Sequence, residues 1–257
     1  MMARKKAMPW VSMVLLGLIG ILFLSPLVWM AFSSLKTTTE VFSTNFHLLP
    51  KEPQWYNYRY VWQESEINML QAYGNTIFIT VISTVVQLFF ASLAAYAFAK
   101  IHFRGKNFVF FLFLSTMMVP VEVTILPHWF NATAIFMLRQ FYIGLPDDLM
   151  EAAKIDGASH PVIFLRIMMP LTKAALVSLM VLSIVSCWNE YLSPLIFLVK
   201  TNLYTVSQTI RWYMLDDLQR YELVMATATS AIVPILILFI ACQKYFVEGI
   251  ATSGVKG

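Results

Sequence analysis

Charge is scarce in this sequence. Asp, Glu, Lys and Arg make up 12% of its 257 residues, against 59% apolar, where a soluble domain carries about 25% charged residues. Folded into one globule, so few charges could not cover the surface. That excludes a soluble enzyme, a disordered chain and a nucleic-acid binder. The two cysteines, Cys187 and Cys242, lie inside apolar runs, which speaks against a disulfide framework or a thiolate metal cluster. No Gly-x-x-x-x-Gly-Lys-Ser/Thr loop is present, so ATP is not held here through that motif. The histidines, at 47, 102, 128 and 160, have no metal-binding spacing; His128 reads as a structural group at the mouth of a span. The 15 methionines contain no Met-x-x-Met run and read as adaptable packing. No constellation for catalysis remains.

What the sequence does have is long uncharged runs, with a mean hydropathy of +0.69. About 20 apolar residues are needed to cross the hydrocarbon of a bilayer. Residues 7–35 are one such run, with Trp10 and Trp29 near its ends and Arg4, Lys5 and Lys6 before it. It is too long for a secretory signal and has no evident cleavage site, so it reads as a retained first helix, kinked near Pro26. Residues 67–99, 174–199 (interrupted only by Glu190) and 223–243 are further candidates.

Between Lys106 and Arg139 the one charge is Glu122. One helix there would be about 48 Å long, too long for a single crossing, yet two full crossings need more residues than are present. The basic residues choose between them. With two spans, 12 Lys and Arg fall on the side of the N-terminus and 6 on the other; with one span the split is 9 and 9. The positive-inside rule therefore favours six spans with both termini cytoplasmic. The shortage means either a hairpin of abbreviated helices or a loop missing between Thr124 and Ile125, and the join 123–127, which has no polar turn residues, favours the missing loop. The resulting division is a cytoplasmic N-terminus (1–6), a first span (7–35), an external loop (36–66), a transmembrane core (67–246) containing a cytoplasmic loop (146–170), and a cytoplasmic tail (247–257).

That cytoplasmic loop, between spans 4 and 5, carries the informative pattern. Pro146 suits a first helical position, Asp147, Asp148 and Glu151 suit the first turn, and Gly157 suits a left-handed cap, which predicts a helix over 146–156. Leu149, Ala152, Ala153 and Asp156 then share one face, where two alanines let another backbone approach. Ser159 and Pro161 offer a second start, and Pro170 a break. On spacing alone, that face either admits another backbone or belongs to an amphipathic helix resting on its own bundle or on lipid headgroups.

The order Glu151-Ala152-Ala153, three residues, Gly157, nine residues, Ile167-Met168-Met169-Pro170 resembles the EAA loop of ABC importer permeases. The family pattern ends Ile-x-Leu-Pro, so Met169 departs from it conservatively. The runs 138–142 (LRQFY), 188–192 (WNEYL) and 243–249 (QKYFVEG), with the ending Val255-Lys256-Gly257, resemble the smaller permease subunit of the maltose-type carbohydrate importers. The likeness covers nearly the whole chain. It implies an all-α, six-span, type I ABC importer permease fold in the cell membrane, a carbohydrate substrate, and a heterodimer with a second homologous permease. It also implies two ATPase subunits that bind ATP and Mg, with no cofactor on this chain, and an extracytoplasmic solute-binding protein. Glu151, Ala152, Ala153, Asp156 and Gly157 would form the helix that docks on the ATPase, and the tail would reach towards the ATPase dimer.

Polar groups within the spans mark candidate pathway positions. Glu190, flanked by Asn189 and Tyr191, could hydrogen-bond a hydroxyl-rich solute while a ring covers its apolar face. The alternative is a structural partner on a neighbouring helix, or a position near the outer headgroups with Pro194 and Lys200 close by. Asn131, Gln87, Glu122 and Thr133 are weaker candidates of the same kind. A rival function, a secondary transporter driven by an ion gradient, would call for paired charges in facing spans and an inverted repeat; only Glu122 and Glu190 are candidates, and no repeat is visible.

The topology is open to direct test. Cysteines placed at 100–106 or near Lys154 are expected to react only with reagents that reach the cytoplasm. Those near Gln54 or Gln208 should be labelled from outside. External labelling near Lys154 overturns the six-span arrangement.

Overall fold

A computed structural model describes residues 10–45, 47–119, 131–215 and 220–254, with side chains as far as Gln243. Among the described residues the regular structure is helical, with no strand. The chain forms two compact units, one of residues 1–72 with 206–233 and the other of residues 73–205 with 234–257.

In the first unit, α1 (Trp10–Ser33) is apolar all round and only Ser33 is buried, the pattern of a helix made for lipid. Pro26 cannot donate to the carbonyl of Leu22. Ser25 Oγ donates to that carbonyl instead, at 2.8 Å, so α1 runs on through the proline. Beyond its end, buried Asn57 donates from Nδ2 to the carbonyls of Ser34 and Lys36, both at 2.9 Å. The 36–66 segment is thereby folded back onto the helix terminus. Two further contacts hold this unit together. Trp62 Nε1 donates to Ser230 Oγ, and the Arg220 guanidinium lies 5.3 Å over the Tyr60 ring.

The second unit is organised around α2 (Met69–Lys100), whose residues from Tyr73 on belong to it. It is followed by α3 (Lys106–Ser115), α4 (Ala132–Ile143), α5 (Asp148–Ile155), α6 (His160–Leu171) and α7 (Lys173–Asn189). Their buried side chains form one core, in which Phe98, Phe110, Leu138, Tyr142, Phe164 and Leu179 are prominent. The last carbonyls of α2, which have no donor within the helix, are taken by cations from other helices. Arg139 Nε donates to Phe98 O, and Lys106 Nζ to Ala99 O, both at 3.2 Å. The Arg139 guanidinium also stacks 4.2 Å over Phe110.

Three described helices are long and apolar enough to cross a membrane: α1, α2 and residues Tyr221–Gln243 of the final helix. A fourth results if α6 and α7 count as one span across the 79° bend between them. The bend falls where sequence placed a break. Pro170 withholds an amide donor from the Arg166 carbonyl, residues Phe164–Met168 adopt π-helical turns, and Thr172 Oγ1 donates to Met168 O and Met169 O. The expected third and fourth spans contribute α3 and α4, of about 15 and 18 Å. The Thr124–Ile125 join, Glu122 and His128 lie outside the described residues.

One expectation is corrected. The fifth span is not continuous over 174–199, because α7 stops at Asn189 and a short helix restarts at Leu192–Phe197. Pro194 lies inside that second helix, and a proline ring collides with the carbonyl four residues earlier, here Glu190. The helix α8 (Val206–Met214) is amphipathic and buries Gln208 while Arg211 stays exposed, so the labelling test near Gln208 is best made with a cysteine at Arg211. The final helix, α9 (Tyr221–Gly254), keeps a helical backbone past residue 246; a single interior Gly249 costs only about 1 kcal/mol.

Candidate functional site

The loop singled out by sequence does contain a helix, α5, two residues shorter than expected at its start and one at its end. Its C-terminus closes in the manner the glycine suggested. Gly157 has φ +80°, its amide donates to Lys154 O at 3.0 Å, and the Ala158 amide donates to Ala153 O at 2.9 Å. Those two bonds with a left-handed residue make a Schellman cap. A Cβ added at Gly157 would meet nothing within 4 Å, so the demand for glycine here comes from the backbone alone.

The two faces of α5 are unlike. Met150 and Ala153 are buried in the core of the second unit. Glu151, Ala152, Lys154, Ile155 and Asp156 are exposed, Ile155 at 86%. The predicted face is thus split. Ala153 lets α5 approach its own bundle, while Ala152 stands outward beside Glu151 and Ile155. Ile155 escaped the sequence reading because it lies nearly opposite the stripe drawn through Leu149 and Ala153.

The start of α5 is held from α2. Lys100, at 4% side-chain exposure, reaches Asp147 Oδ1 at 2.5 Å and donates to Leu145 O at 2.7 Å. The Lys100 hydrogen bond and charge, helped by His102 and Lys154, hold the Asp147 carboxyl below its ordinary value of 3.8. A carboxyl so depressed stays ionised above that value, and the pair is lost only as pH falls below it. One turn back, Tyr96 Oη shares a hydrogen bond with His160 Nδ1 at 2.9 Å and lies 3.9 Å from Met150 Sδ. A turn further back, Ser92 Oγ and Tyr142 Oη share one at 2.6 Å. Sequence reading missed this set. Its one visible signal was a lysine closing an apolar run at Lys100, with Asp147 and Asp148 after a proline.

The membrane-level candidates have local partners. Asn131 caps α4, its Oδ1 accepting from Ala134 N at 3.0 Å. Asn189 is exposed and donates to Val185 O at 2.8 Å. Half-buried Glu190 sits in the break after α7, where Oε1 accepts from Ser193 N at 2.9 Å and Ser193 Oγ at 3.1 Å. It therefore caps the first turn of Leu192–Phe197. Tyr191 is half-buried beside it, and Trp188 packs edge-on against Tyr73 at 5.6 Å.

Comparison with known proteins decides the family. The family described as binding-protein-dependent transport system inner membrane component matches residues 1–252. The chain belongs to that family. The arabinooligosaccharides transport permease AraQ of Bacillus subtilis is 31% identical over 262 residues, covering 93% of each chain. The AraQ of Halalkalibacterium halodurans is 31% identical over 279 residues, covering 99% of this chain and 100% of its own. That alignment is longer than this chain, so the relative carries residues with no counterpart here. The sn-glycerol-3-phosphate permease UgpE of Pectobacterium atrosepticum is 32% identical over 267 residues, covering 94% of each. Among solved structures, a bacterial ABC transporter involved in the import of the acidic polysaccharide alginate matches with a TM-score of 0.77 and 26% identity, covering 92% of this chain and 95% of that one. This protein is accordingly a multi-pass permease component of an ABC importer in the cell membrane, and such permeases work with ATPase and binding-protein components.

Substitutions at two positions test the local geometry. Gly157→Val should strain the α5 cap by about 1–2 kcal/mol, whereas Gly157→Asn, which tolerates positive φ, should stay near wild type; thermal unfolding of the purified permease measures both. Glu190→Gln keeps an acceptor for Ser193 and should fold normally, while Glu190→Ala should lose about 0.5–2 kcal/mol of stability.

Proposed function

We propose that this permease is one of two homologous transmembrane subunits of a carbohydrate importer, and that α5 is the helix through which it is driven by ATP hydrolysis on separate subunits. The observation that carries this reading is the division of α5. One face is built into the permease core, and the other presents Glu151, Ala152 and Ile155 with no covering from the described chain. A charge, a small residue and an exposed aliphatic side chain on a rigid helix make a docking surface. Glu151 would meet a basic group in the ATPase cleft, Ala152 would permit close approach, and Ile155 would supply apolar contact. Asp156 and Gly157 would end the helix at the cleft.

In this reading the chain has six spans with cytoplasmic termini, α5 lies between the fourth and fifth, and a loop is missing between Thr124 and Ile125. The longer Halalkalibacterium alignment supports the missing residues. Relatives named for arabinooligosaccharides, sn-glycerol-3-phosphate and alginate support a polyhydroxylated solute. Asn131, Asn189, Glu190 and Tyr191 remain proposed pathway positions. Closure of the ATPase pair would move α5 and rotate the attached spans between inward-open and outward-open states.

Glu151→Lys provides the test. Reversing a charge in a tight contact costs about 2–5 kcal/mol. The variant should insert at wild-type levels, lose its ATPase subunits during purification through a tag on this chain, and cease transport. A compensating acidic substitution in the ATPase should restore it. Wild-type assembly and transport by Glu151→Lys would refute the assignment of α5.

A further inference from the structure

Residues Ser92, Tyr96 and Lys100 follow one another at intervals of four and so lie along one face of α2. Each reaches a different segment around α5. Ser92 meets Tyr142 at the end of α4, Tyr96 meets His160 at the first residue of α6, and Lys100 holds Leu145 O and Asp147 at the start of α5. The segments on both sides of α5 are thus fastened to a single helix over two turns, about 12 Å.

Lys100 is the informative rung. A lysine closing a helix ordinarily turns to its own last carbonyls. Here Arg139 and Lys106 occupy the carbonyls of Phe98 and Ala99, and buried Lys100 is directed away to α5.

At its other end α2 makes a second set of contacts within the same unit. Asn75 Nδ2 donates to the carbonyls of Asn202 and Tyr204, both at 3.0 Å. Tyr73 packs edge-on against Trp188, next to the break at Glu190. From Asn75 to Lys100 is about 38 Å of helix. A helix bonded at both ends transmits displacement as a rod, because directional hydrogen bonds do not slide as apolar contacts do.

We propose that α2 is the transmission rod of this permease, with Ser92, Tyr96 and Lys100 as positioning residues that fasten it to the α5 region and Asn75 as the one that fastens it to residues 202–204. The proposal rests on the reading of α5 as the ATPase-driven helix. Movement imposed on α5 is then delivered to the segment after the α7 break, on the opposite side of the membrane.

The test uses the complete importer, purified through a tag on this permease and reconstituted in lipid nanodiscs. The chain carries Asn202→Cys, with Cys187 and Cys242 replaced by Ser. Asn202 is exposed, and cysteine there keeps the backbone carbonyl that Asn75 uses. The reaction rate with a membrane-impermeant maleimide is measured with and without ATP plus vanadate. In the parent chain the trapped state should change that rate. Tyr96→Phe, Lys100→Met and Asn75→Ala should each reduce the ATP-dependent change per assembled complex about fivefold or more, with ATPase content and basal hydrolysis at parent levels in Tyr96→Phe and Asn75→Ala, and Lys100→Arg should retain it. Asn75→Ala is the sharpest arm, since Asn75 makes no contact with α5. An unchanged ATP response in all three variants overturns the proposal, as does a loss that merely tracks the amount of assembled complex. Glu151→Lys, run alongside, separates the two claims. If it sheds the ATPase while the α2 variants respond normally, the rod is wrong and the docking helix stands; if it assembles and transports normally, the docking helix itself is wrong.

Discussion

Every helix end in a membrane protein leaves carbonyls or amides that lipid cannot satisfy, and the second unit is arranged around one such end. The last turn of α2 offers Phe98 O and Ala99 O; the donors that reach them, Arg139 and Lys106, come from α4 and α3. The bond from Arg139 fixes α4 against α2, and that from Lys106 turns the chain back after the 101–105 loop. With Lys100, three cations share this junction, and Asp147, the acid bonded to one of them, is what brings the start of α5 to the same place. Helix termination, packing of the second unit and placement of α5 therefore answer to one electrostatic requirement.

Proline has a different outcome at each site because the local donors differ. At Pro26 a serine one residue earlier bonds the vacated carbonyl, and α1 continues. At Pro170 the helix accommodates π turns and then bends by 79°, with Thr172 bonding the carbonyls of the previous turn. At Pro194 the preceding Ser193 Oγ donates to the Glu190 carboxylate, and the helix ends at Asn189, with Glu190 capping the short helix beyond it. A proline in an apolar run thus marks where the chain must find a substitute donor, and the preceding side chains decide whether it runs on, bends or breaks.

That dependence explains how much could be read in advance. The apolar runs, the cap at Gly157 and the break near Pro170 follow from local chemistry, and they appear where the residues put them. The split of the fifth span is foreseeable from Pro194 but is hidden by the hydropathy of 191–199, which reads as uninterrupted. The side of α5 that faces inward is not legible. Alanine suits either a core or an exposed face, and only the packing of the second unit shows that Ala153 is buried and Ala152 exposed. Likewise Tyr96 and His160 are far apart in sequence and carry no motif. Their bond is a consequence of packing. Asn131 and Glu190 stand out in the sequence because polar groups in apolar runs are costly; the structure gives each a backbone amide to cap, a local reason for that polarity.

The length of α5 bears on how force could pass through it. It has eight residues, whereas isolated helices shorter than about 12–15 residues are marginal in water. It cannot act as a lever by its own stiffness, so its rigidity must be borrowed. The Schellman cap at Gly157 closes one end, Lys100 holds the other through Asp147 and Leu145 O, and Met150 and Ala153 seat its inner face. With both ends and one face fixed, a push on Glu151 or Ile155 has little to deform within α5 and is passed to whatever α5 is bonded to. The most direct recipient is α2, through a buried lysine whose detachment would leave a cation unsatisfied inside the protein. A short helix and a long one are thereby joined by one ion pair and a few hydrogen bonds.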